Sequence, residues 1–60
     1  MVCYSLLFTY EGDSFPRPIA EGCSKKQLLD ILDRHLMLAE ITNFQIIPFE
    51  YYIPFKEYTL

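Results

Sequence analysis

Residues 47 to 58 read Ile47-Pro48-Phe49-Glu50-Tyr51-Tyr52-Ile53-Pro54-Phe55-Lys56-Glu57-Tyr58, an Ile-Pro-Phe unit with an acidic and aromatic sequel that returns six residues later. How this ribbon is read decides how many strands the fold has. The offset is even, so in one continuous strand Gln45, Ile47, Phe49, Tyr51, Ile53, Phe55 and Glu57 share a face. Phe44, Ile46, Pro48, Glu50, Tyr52, Pro54 and Lys56 share the other. Both prolines then remove a donor from the same edge, which is the behaviour of an edge strand. The competing reading is a bend near Glu50 that makes two short strands, but no Gly or Asn is present to favour a tight hairpin. The expectation is therefore a single edge strand, with Phe49 and Phe55 packed beneath a helix.

The remainder of the chain supplies that helix and two more strands. Met1 to Glu11 alternates, with Val2, Tyr4, Leu6, Phe8 and Tyr10 on one face and Cys3, Ser5, Leu7, Thr9 and Glu11 on the other. Period two with aromatic and β-branched residues predicts a strand. Glu11-Gly12-Asp13-Ser14 is a turn signal, because Gly accepts positive φ and Asp and Ser bond to nearby backbone. The second arm, Phe15 to Glu21, carries Pro16 and Pro18 with the same parity, so it reads as an edge strand or a polyproline-like segment.

Ser24-Lys25-Lys26-Gln27 has the form of a capping box and predicts a helix start. Leu28, Leu29, Ile31, Leu32, His35, Leu36 and Ala39 make its apolar stripe, which predicts an end near Glu40 and an Asp30/Arg34 pair on the outer face. His35 belongs to the stripe and is expected at the core or its boundary. The order is β-β-α-β, an α+β fold with a small three-stranded antiparallel sheet and one amphipathic helix on one face. Residues 1–60 form a single domain.

One helix covers one face of such a sheet and leaves the other open. A 60-residue chain buries only about 60% of the surface it exposes when unfolded, yet 52% of these residues are hydrophobic and 17% aromatic. Some of Leu7, Phe44, Ile46, Tyr52 and Tyr58 are expected on the uncovered side, which a homodimer or a partner would hide. Tyr52, Tyr58, Phe44 and Ile46, rimmed by Glu50 and Lys56, are the candidate contact residues, since tyrosine combines a large apolar ring with a wet hydroxyl.

Composition excludes most other classes. A net charge of −3 without a basic block argues against direct nucleic-acid binding. Two glycines cannot build either phosphate loop. Cys3, Cys23 and His35 lack the paired spacing of structural zinc sites, and no nucleophile elbow accompanies Ser5 or Ser14. No catalytic residue, metal or cofactor is expected, and no run is long enough to span a membrane. A cytoplasmic protein with reduced thiols is the expectation, although two adjacent strands could bring Cys3 and Cys23 together.

The layout of hairpin, helix and final strand in a small acidic chain resembles that of small phage-encoded inhibitors, including inhibitors of uracil-DNA glycosylase. The resemblance implies a protein that acts by occupying a larger protein's surface; it rests on layout alone. The function expected is that of a non-enzymatic interaction protein that binds and modulates or inhibits a larger protein through an aromatic, mildly acidic surface. The alternatives are a nucleic-acid-related module, either a DNA mimic or a single-strand binder, and a structural subunit of an assembly.

Overall fold

The computed structural model of the chain describes residues 1–37 and 40–58. Strands β1 (Cys3–Tyr10) and β2 (Arg17–Gly22) are followed by helix α1 (Lys25–Leu36), then β3 (Ile41–Phe49) and β4 (Lys56–Glu57). All pairings are antiparallel, and the sheet order is β3-β1-β2-β4. The fold is thus α+β with one helix, as expected, but the sheet has four strands rather than three.

The extra strand comes from the Ile-Pro-Phe ribbon. Cys3, the first residue of β1, pairs with Phe49. A longer β3 would run past the start of its neighbour and leave its backbone groups unpaired, which is costly away from water. The chain instead bends at Glu50 and Tyr51 and crosses the end of the sheet. Lys56 and Glu57 then pair with Glu21 and Ala20 on the far edge of β2. The single long strand is corrected to two strands on opposite edges. β2 is correspondingly not an edge at its C-terminal half; only its proline-bearing end lies beyond the reach of β4.

Register fixes the faces. Leu6 opposes Ile46 and Ala20, and Phe8 opposes Phe44, so these residues share one side of the sheet. Leu6, Phe8, Ile19, Ala20, Leu28, Ile31 and Leu32 form the buried core, with Tyr4, Tyr10, Ile41 and Ile46 packed against it. The helix therefore lies on the Leu6/Phe8 side, as the alternation of β1 predicts. For β3 the expected faces are reversed: Ile46 approaches the core, whereas Ile47 turns away and is 45% exposed.

Two irregularities make this packing possible. Leu6 pairs with Ala20 but Leu7 pairs with Pro18, so Ile19 is an extra residue in β2. The bulge lets Ile19 and Ala20, adjacent in sequence, both be buried, which strict alternation forbids. Thr42 is the extra residue between the Thr9/Asn43 and Tyr10/Ile41 pairs, and its hydroxyl donates to the Thr9 carbonyl at 3.0 Å.

The helix begins as its capping signal predicts, with Ser24 Oγ accepting from the Gln27 amide at 3.3 Å. Its C-cap is Met37, so it ends earlier than the stripe implies, and Ala39 lies outside the described residues. Leu28, Ile31 and Leu32 are buried, whereas Leu29 and Leu36 are exposed; the stripe is narrower than its sequence suggests. Arg34 does not take Asp30 as its partner and lies 3.9 Å from Glu57 of β4. His35 holds its expected boundary position, where Nδ1 donates to the Ile31 carbonyl at 2.9 Å and the ring packs 5.4 Å from Phe8.

Candidate protein-interaction surface

The helix packs mainly on β1 and β2, and β3 reaches the core only through the partly buried Ile41 and Ile46. Twelve residues make a helix only about 18 Å long, and its buried side is filled by the two strands nearest it. β3 consequently overhangs. Of the nine aliphatic or aromatic residues from Ile41 to Phe55, five are exposed: Phe44 (44% exposed) on the helix side, Ile47 on the other, and Tyr51, Tyr52 and Phe55 beyond the strand.

Among the described residues β3 pairs only with β1, so its outer edge presents backbone groups without a ladder partner along nine residues. Ile-Thr-Asn-Phe-Gln-Ile-Ile-Pro-Phe contains no charged side chain. Edge strands are usually blunted by charge, short length, proline or a bulge; here the bulge at Thr42 and Pro48 serve that purpose only near the two ends, and Asn43 to Ile47 between them carry none of these. Glu40 precedes the strand and Glu50 follows it, both exposed. Among the described residues neither carboxylate is in an ion pair.

Beyond Phe49 the bend carries the aromatic residues outward. The Phe49 and Tyr51 rings lie 4.9 Å apart, and Tyr52 is 66% exposed. The bend is anchored at the cysteines. Cys3 and Cys23 form a disulfide across the β1–β2 end, with their Cα atoms 3.8 Å apart, in place of the expected reduced thiols. The Ile53 amide donates to the Cys3 sulfur at 3.3 Å, and the Ile53 carbonyl lies 3.8 Å from the Cys23 sulfur. Next to it, a Cβ on Gly22 would come within 3.2 Å of the Phe55 Cα, so glycine is what lets the crossing chain lie this close.

The six candidate contact residues do not gather into one patch. Phe44 and Ile46 lie on β3, on the helix side rather than the uncovered side, and Glu50 and Tyr52 lie in or beside the bend. Lys56 and Tyr58 belong to the opposite edge of the sheet. Tyr58 there has a structural task. Its amide donates to the Ile19 carbonyl at 2.7 Å, and its hydroxyl donates to Glu21 Oε1 at 2.7 Å. Its ring lies 4.8 Å from Lys56 Nζ. The hydrogen bond to Glu21, helped by burial, raises the phenol above its ordinary pKa of 10.0.

The surface that does form is β3 with its bend: Phe44, Ile47, Phe49, Tyr51 and Tyr52, bracketed by Glu40 and Glu50. Ile47 and Glu40 are not among the residues that local pattern singles out, because alternation along one long strand places Ile47 under the helix and Glu40 marks the expected helix end. The signal was nonetheless legible as a charge-free run between two acids. Compared with family models, curated proteins and solved structures, the chain matches none.

Proposed function

We propose that the chain is a non-enzymatic interaction protein that binds a larger protein and modulates or inhibits it through the β3 overhang and its aromatic bend. The observation that carries this reading is a nine-residue, charge-free edge strand left open on its outer edge in a chain of net charge −3. Such an edge is a template for pairing, and retaining it without blunting charges suits a protein that uses it. Tyr51 and Tyr52 add amphipathic rings of the kind that anchor interfaces.

A homodimer is the second reading. Leu7 and Ile47 lie on the sheet face away from the helix, and a second copy could cover them. Base stacking on the aromatic bend is less well supported, because Glu50 sits within it and would repel a phosphate backbone.

Affinity capture with the wild-type chain and a Tyr51→Ser/Tyr52→Ser variant of equal thermal stability tests the reading. A stoichiometric protein partner recovered by the wild type and lost by the variant is expected. Recovery of the same proteins by both, or of nothing but copies of the chain itself, would overturn it.

A further inference from the structure

The two acids that bracket β3 limit what can add to its edge. Glu40 and Glu50 stand ten positions apart, one just before β3 and one just after it, with nine uncharged residues between them. Near the first end Glu11 adds a further carboxylate, since its amide donates to the Glu40 carbonyl at 3.0 Å. The edge is therefore neutral along its length and negative at its ends.

A second copy of this chain is a poor occupant. Pairing β3 antiparallel with its own copy over the full length sets Glu40 of one chain against Glu50 of the other, at both ends of the ladder. Like charges directly opposed across strands are unfavourable. The arrangement thus selects against self-pairing while leaving the backbone edge open.

Resting on the reading above, we propose that β3 takes a partner's extended segment as an added antiparallel strand. The segment is apolar or uncharged along its length and carries a lysine or arginine at each end, opposite Glu40 and Glu50. Main-chain hydrogen bonds to the edge supply the affinity. The terminal charge pairs fix register, so that a slip of two residues loses both. Phe44 on the helix side and Ile47 on the other give the added strand an apolar neighbour on each face, as alternating side chains require.

The test uses the full chain and a capped peptide in which a run of alternating threonine and valine as long as β3, nine residues, is flanked by one additional lysine at each end. A second peptide carries glutamate in place of both lysines. Binding by fluorescence anisotropy at low salt should favour the lysine peptide by about tenfold. The difference should vanish at about 1 M salt, where the screening length is about 3 Å. Glu40→Lys/Glu50→Lys should reverse the preference, and N-methylation of one alternate set of peptide amides, but not the other, should abolish binding.

Equal affinity for the two peptides, or indifference to which amides are methylated, would overturn the proposal. So would exchange protection, in a dimer of the free chain, of the outward-pointing β3 amides that β1 does not pair, which would mean that a second copy already holds the edge. Failure of both peptides with a Tyr52-dependent protein partner retained would reject strand addition and leave the interaction function standing.

Discussion

At the scale of single residues, the chain's aromatic side chains divide into those that hold the fold and those that leave it. Phe8 is fully buried in the core, whereas Phe49, which pattern alone places beneath the helix, is only half-buried on the opposite side of the sheet. Phe8→Ala should cost about 3–5 kcal/mol and Phe49→Ala only about 1–2 kcal/mol, both read from urea unfolding. The outcome is checked by the order of the two midpoints. Tyr58 supplies a pH dependence of definite sign. Its folded phenol is raised above 10.0 by the bond to Glu21, so the native state holds its proton more tightly than the unfolded chain. That contribution is fully present below the unfolded pKa and is lost as pH rises through the folded one. Stability should therefore fall more steeply above about pH 10 in the wild type than in Tyr58→Phe, as followed by thermal melting across that range.

At the scale of elements, local signals were reliable where they needed no neighbour. Ser24 and Gln27 mark the helix start, and Gly12 takes φ +86° in the turn, where the Asp13 amide donates to the Tyr10 carbonyl at 3.0 Å. Ser24→Ala should lower stability by about 1 kcal/mol, measurable as a shift in the urea midpoint with an unchanged slope. Strand ends were less legible, because a strand ends where its partner does. Phe49 stops β3 since β1 begins opposite it at Cys3, a fact absent from residues 44 to 58 taken alone. The crossing segment that results depends on close approach at Gly22. Gly22→Ala, with Phe55 atoms 3.2 and 3.3 Å from the new Cβ, should cost about 1–3 kcal/mol. It should also raise amide exchange at Tyr58 more than at Leu6; uniform change at the two would show that β4 does not detach separately.

At the scale of the whole molecule, the disulfide joins the first residue of β1 to the residue after β2 and carries the crossing chain on its sulfurs. It closes a loop with a sequence separation of 20, for which chain-entropy arguments give about 3 kcal/mol of stabilisation. Reduction by a dithiol should therefore lower the unfolding free energy by about that amount and speed exchange of the Ile53 amide. The open edge of β3 and the narrow cover of the helix are also properties of the assembled molecule. Sequence alone determined the α+β class, the helix start, the core face of β1 and the surplus of apolar surface, because these follow from capping chemistry, local periodicity and the small volume of a short chain. Tertiary structure decided the division of the ribbon into two strands, the faces of β3, the pairing of Cys3 with Cys23 and the dispersal of the expected contact residues. Each of these depends on which strand lies beside which, and register is set by long-range pairing that local sequence does not encode.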